Sequence, residues 1–218
     1  TRPRKHLSIP GLLDRARAQY KKITDPLKGK TQFSLPDCLM SGLALFSLKY
    51  PSLLQFDEDT RDETQVICHN LRTLYQVKRT PSDTYFRERL DAIEPYELQR
   101  VINRIIAQLQ RGKVLEQYRY MLDDYHLVAI DASGYFSSHE VHCSSCCVKH
   151  HRDGTITYYH QMLAAVFVHP DKHCVFPLAL EPIVKQDGAK KNDCEHNAVK
   201  RLLRNLRNAH PHLKLLVT

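Results

Sequence analysis

The sequence predicts an α/β (α+β) chain in which a helical amino-terminal region precedes a partial mixed sheet of order β-β-β-α-β. Three observations predict it. Apolar residues recur at helical spacing from Ser34 to about Tyr120, and from His126 onward they gather into short runs rich in branched side chains. One amphipathic segment then separates the third of those runs from the last. A final strand that returns after a helical crossover belongs to a mixed sheet rather than a purely antiparallel one. With 218 residues, 42% apolar and 26% charged, the chain can bury the core of one large or two small domains. Collagen-like, low-complexity and wholly disordered readings are excluded by the same composition.

The first clear helix is expected over Pro36 to Lys49, ending before Pro51. A second runs from Arg61 to Gln76, with Val66, Ile67, Leu71 and Leu74 on one face. Thr80-Pro81-Ser82 opens a third, to about Asp91, because proline is tolerated at the first helical position and Thr or Ser can cap it. The strongest pattern is Pro95 to Gly112, where Leu98, Val101, Ile102, Ile105, Ile106 and Leu109 follow the i, i+3, i+4, i+7 rule and Gly112 stands as the stop. The second and third helices, joined by Val77-Lys78-Arg79-Thr80, have the form of a helix-turn-helix that would present Tyr85, Arg87 and Arg89 to a groove. Any helical domain with short links offers such pairs.

At His126 the character changes. Leu127-Val128-Ala129-Ile130 reads as a buried strand, Thr155 to Val168 as a long second one and Cys174 to Leu180 as a third. Asn192 and Glu195 can form a capping box for a helix that carries Ala198, Val199, Leu202, Leu203 and Leu206 on one face. Leu213 to Val217 begins the last strand. The expected division is a helical, basic, DNA-binding region over 1–125 and a sheet domain over 126–218.

Charge points to a polyanionic partner. The formal balance is +8 with pI near 9.1, and nine Lys or Arg face only Asp14 and Asp25 within the first thirty residues. Arg2, Arg4, Lys5, Arg15, Arg17, Lys21 and Lys22 of that end are candidate DNA contacts, as are Arg87 and Arg89 of the helix pair and Lys200, Arg201 and Arg204 of the late helix. The opening basic stretch lacks the apolar core of a secretory signal, no apolar run reaches membrane-spanning length, and Thr1 in place of Met suggests a cropped or processed piece. A soluble chain in a reducing cytoplasm is expected, with no membrane partner. Seven cysteines, five of them between Cys143 and Cys194, suit metal or free thiols better than a disulfide framework.

Two constellations can carry chemistry. Asp131 ends the first apolar strand, so its carboxylate is held on rigid backbone as a two-metal site requires, although Asp131 followed by Ser133-Gly134 is also ordinary turn chemistry. Glu181, Asp187, Asp193 and Glu195 are further acids, with capping and turn roles the simpler account of the last three. The second constellation is Cys143, Cys146, Cys147 and His150 or His151, a C-x-x-C with nearby imidazole that fits tetrahedral Zn²⁺. His169 and His173 also have ligand spacing, but belong to the opposite end of the second strand.

Several segments together resemble DDE transposases of bacterial insertion sequences: LVAIDASGYFSS, HCSSCCVKHH, TYYHQMLAAVFVHPD, FPLALEPIVKQDG, KNDCEHNAVKRLL and HPHLKLLVT. Upstream, KYPSLLQFD, PSDTYFRERLD and LQRGKVLEQY look like the helical region that precedes the core in that family, so the resemblance runs from about residue 45 to the end. It implies a ribonuclease-H-like core and a catalytic set of two aspartates and a glutamate, the first matching Asp131. The second would follow the strand that ends at Thr218, and the glutamate would lie further on. It also implies Mg²⁺ or Mn²⁺ held by those acids, with Asp131 as the ligand present here. Such an enzyme frees a 3′-hydroxyl at the element's end and joins it to target DNA. Its expected partners are DNA ends, target DNA and a second copy of the chain, in the nucleoid. Two other readings stay open: a non-catalytic DNA-binding protein with a zinc-stabilised loop, and a nuclease or resolvase on the same kind of sheet.

Overall fold

Serine caps and an internal aspartate set the helical part. In the computed structural model, which describes residues 6–27, 31–120, 124–184 and 195–218, the chain divides into two compact units, Thr1–Gln108 and Leu109–Thr218. Each of the first three helices starts at a serine whose hydroxyl accepts a backbone N–H three residues on: Ser8 for α1 (Ile9–Tyr20), Ser34 for α2 (Leu35–Ser47) and Ser52 for α3 (Leu53–Arg61). Then follow α4 (Val66–Thr73), α5 (Asp83–Asp91) and α6 (Pro95–Arg111). Of the helix expected over Arg61 to Gln76, only Val66–Thr73 forms as α4 beyond Arg61 itself, which ends α3, and α3 lies where no helix was expected. Asp62 leaves helical backbone, and its carboxylate takes the Thr64 N–H at 2.9 Å, a local turn that competes with helix continuation. Gly112 follows the end of α6, but the left-handed residue there is Lys113, at φ 60°. The core of this unit gathers Leu39, Met40, Ala44 and Leu45 of α2 around Phe56, Leu71 and Val77.

The second unit starts earlier than residue 126. A 3₁₀ turn (Leu115–Tyr118) and β1 (Arg119–Tyr120) belong to it, because the Tyr118 hydroxyl donates to the Cys174 carbonyl at 2.9 Å and its ring meets Phe176 at 4.9 Å. The sheet is built on β2 (Tyr125–Ser138) and β4 (Ile156–Val168), paired antiparallel along nearly their whole length, from Leu127↔Val168 to Ser138↔Tyr158. The strand expected to stop at Ile130 thus continues eight residues further. Ser133-Gly134 is not a turn: it lies in the ladder, and a register shift between Gly134 and Phe136 absorbs the irregularity. The outer stretch of β4 pairs with β3 (Cys147–His150) and the inner stretch with β5 (Phe176–Ile183), whose Pro177 and Pro182 suit an edge strand. After α7 (Glu195–Ala209), β6 (Leu215–Val217) pairs parallel with β2, Leu127 opposite Leu216. The β-β-β-α-β order is therefore present, with the short β1 and β3 added. Asn192, the expected cap of α7, lies outside the described residues.

Side chains alternate across this sheet. Val128, Leu163, Ala165, Phe167, Ala179 and Ile183 are buried on the face that α7 covers with Ala198, Leu202 and Leu206. On the other face stand Asp131 with its cross-strand neighbours Ala164 and Leu180.

Candidate functional site

Asp131 is the seventh residue of β2, in the middle of the strand rather than at its end. Its side chain is exposed, and one carboxylate oxygen accepts the N–H of Ala132 at 2.8 Å, which leaves the other oxygen for a ligand. The parallel partner strand runs toward it. Thr218 donates its N–H to Val128 O at 2.9 Å and its carbonyl accepts from Ile130 N–H at 3.3 Å, one residue short of Asp131.

Glu181 is one rung away and cannot join it. Leu163 pairs with Glu181 while Ala164 pairs with Asp131, so the two carboxylates leave the sheet on opposite faces. Glu181 is engaged with α7: Arg201 Nε donates to it at 2.6 Å and the Asn205 amide at 3.5 Å. Asp187 and Asp193 lie outside the described residues, and Glu195 opens α7. Among the described residues no other acid, His or Cys clusters with Asp131, and a two-ion site needs several hard oxygen ligands.

The thiol cluster differs from the expected ligand set. Cys143 and Cys146 converge with His160 of β4: the sulfurs are 3.7 Å apart, and His160 Nε2 is 3.4 Å from Cys143 Sγ and 3.3 Å from Cys146 Sγ. A tight turn makes this possible, since Cys146 N–H donates to Cys143 O at 3.2 Å and Cys143 N–H to Cys146 Sγ at 3.3 Å. Cys147 is not a member. It is buried opposite Tyr159, and its thiol donates to the Ile183 carbonyl at 3.5 Å. His150 is not a member either. It pairs with Ile156, four residues along β4 from His160, about 13 Å away at strand rise. His160 is missing from the sequence reading because a lone histidine in TYYHQ carries no spacing signal. Only the β2–β4 register, which brings it beside Tyr135 (rings stacked at 5.7 Å), reveals it.

The basic residues divide into those turned inward and those left outside. Arg89 is 1% exposed and holds Asp25 by two bonds of 2.8 and 2.6 Å, so it faces the core of the helical unit and not a groove. That pairing holds the Asp25 carboxyl below its usual range. Arg17 pairs with Asp37 and Arg201 with Glu181, so both serve as internal ties. Arg15 is half-buried, and Arg87 is exposed with Asp83 as its partner. Lys21, Lys22, Lys200 and Arg204 are exposed, whereas Arg2, Arg4 and Lys5 lie outside the described residues. The helical unit also has a cleft of about 400 Å³ lined by Arg61 and Arg72, paired there with Asp57 and Glu63, and by Lys78 and Arg79, the last lying 4.9 Å from the Phe33 ring. Lys78 and Arg79 occupy the link read as a turn, where their charge could have flagged them.

No family model, no curated protein and no solved structure matches the chain. Among the described residues no helix is long and apolar enough to cross a membrane.

Proposed function

We propose that the chain supplies the DNA-binding part and the first catalytic carboxylate of a DNA-strand-processing enzyme of the DDE transposase type, with a ribonuclease-H-like core. One observation carries the reading: Asp131 stands exposed at the centre of the strand shared by both main pairings, and the parallel strand β6 points at it. In a chain continuing past Thr218 in the same register, a residue two positions on would lie beside Asp131, where a second carboxylate could share an ion with it. The exposed Lys21, Lys22, Lys200 and Arg204 support a phosphate-rich partner, and association with the nucleoid is part of the proposal. A homodimer is part of the proposal because strand transfer joins two DNA ends.

A second reading has its own support. Among the described residues Asp131 belongs to no group of three or more acid, His or Cys side chains, as it would in a non-catalytic DNA-binding protein. A mobility-shift and nicking assay on the 218-residue chain with Mg²⁺ or Mn²⁺ tests the common ground. Duplex DNA should bind, and affinity should fall at least about tenfold between about 50 and 200 mM salt, without cleavage. Salt-insensitive binding or none would remove DNA from the account.

A further inference from the structure

We infer that Cys143, Cys146 and His160 bind one Zn²⁺ ion, which ties the connection between β2 and β3 to the outer part of β4. The distances carry the inference. Ligand atoms at about 2.3 Å (S) and about 2.0 Å (N) from a tetrahedral ion stand about 3.75 Å apart for two sulfurs and about 3.5 Å for sulfur and nitrogen. The observed separations are 3.7 Å for the sulfurs and 3.4 and 3.3 Å from each to the imidazole nitrogen. A disulfide would need the sulfurs near about 2.05 Å, and neither cysteine is in a disulfide.

Charge favours the same ion. Cys146 is 1% exposed, and a buried thiolate is costly without a cation. Zn²⁺ with two thiolates and a neutral imidazole is formally neutral, so the metal offsets that cost and releases two protons on binding. Soft sulfur with imidazole selects zinc over magnesium, so this ion is distinct from any held by Asp131. Among the described residues the cluster has these three ligands, one fewer than a four-ligand structural site.

The rest of the loop is exposed and mostly held by its own local bonds. Ser144 and Ser145 at the tip of the turn are exposed, and so are His139, Glu140, Val141 and His142 leading into it. Besides the cluster, the connection is held to β4 by the stacking of His142 on Tyr158 at 4.3 Å and the bond from His139 to the Ile156 carbonyl, and locally by the Ser138 hydroxyl, which accepts the Glu140 and Val141 N–H groups, and by the His142 bond to the Glu140 carbonyl. The inference does not depend on the DNA reading, since it follows from the ligand geometry alone.

The test is metal analysis of the 218-residue chain purified without chelators, together with cobalt substitution and X-ray absorption at the zinc edge. Close to one equivalent of zinc is expected, with two sulfur scatterers near about 2.3 Å and two lighter atoms near about 2.0 Å. Cobalt should give thiolate charge-transfer bands in the near ultraviolet. Cys146→Ser and His160→Ala should lower the zinc content at least about fivefold, while Cys147→Ser and His150→Ala leave it near one equivalent. Wild-type protein with under about a tenth of an equivalent and no cobalt bands would overturn the inference, as would four sulfur scatterers or loss in His150→Ala with retention in His160→Ala. The wild-type spectra decide the matter even if a variant fails to fold.

Discussion

Asp131 and Glu181 are carboxylates on neighbouring rungs of one sheet, and they have opposite circumstances. Glu181 leaves the sheet toward α7 and is held by Arg201 and Asn205, so its charge is used inside the protein. Asp131 leaves on the other face and, among the described residues, is bonded by the N–H of its neighbour. A strand repeats every two residues, so a single position decides whether an acid becomes a structural tie or stays open to a ligand. The Cys143, Cys146 and His160 cluster belongs with Asp131 in this division: His160, Met162 and Ala164 alternate on that face of β4, about 13 Å of strand from the thiols to the acid.

The largest effect that would sharpen the contrast comes from the covered face. Leu202 is 1% exposed in α7, and Leu202→Ala should cost about 2–5 kcal/mol in urea unfolding, against under about 0.5 kcal/mol for Leu180→Ala on the open face, where Leu180 is 40% exposed. Equal losses would mean that the open face is packed against something in solution. Next comes Glu181→Gln, which weakens the bonds to Arg201 and Asn205 and should cost about 1.5–3 kcal/mol, whereas Asp131→Asn should leave the unfolding midpoint within error.

The smallest effect is a pH dependence that separates the two units. His210 is buried, its Nε2 has no hydrogen-bond partner among the described residues, and burial holds its pKa below 6.5. The unfolded chain takes up that proton near pH 6.5 while the folded one resists, so stability present above pH 6.5 declines as pH falls from there. Asp25 and Asp57 in the helical unit are shifted down chiefly by hydrogen bonds from Arg89 and Arg61. Their contribution is present above about pH 3.8 and is lost only as pH falls below it. Thermal melts between pH 7 and 5.5 should therefore drop in the wild type and flatten in His210→Leu. An unchanged slope in that variant would place the titration elsewhere.

Periodicity made most of the fold legible. The apolar faces of α6 and α7 and the runs of β4 and β5 follow from spacing, because burial on one side forces it. The failures have local causes. The helix read from Arg61 starts only at Val66, because the Asp62 carboxylate holds a turn that leaves the apolar pattern intact, and α3 was not read at all. β2 was read eight residues short because Ser133-Gly134 has turn chemistry and only the β4 partner overrides it. The site was legible in part. Asp131 and the C-x-x-C stood out by residue type, but the third member of the cluster lies fourteen residues after Cys146 in sequence and enters through strand pairing. Arg89 looked like a surface cation, and only its distant partner Asp25 turns it inward.

Asp131 is the proposed working acid of the open face. Its direct test is metal-dependent nicking of labelled duplex DNA by a chain that carries residues following Thr218, with Asp131→Asn and Glu181→Gln compared at equal folded concentration. Asp131→Asn is expected to abolish nicking while its DNA affinity stays within about twofold of wild type, and Glu181→Gln to retain nicking wherever it remains folded. Nicking that survives in Asp131→Asn, or that is lost only in Glu181→Gln, would contradict the assignment.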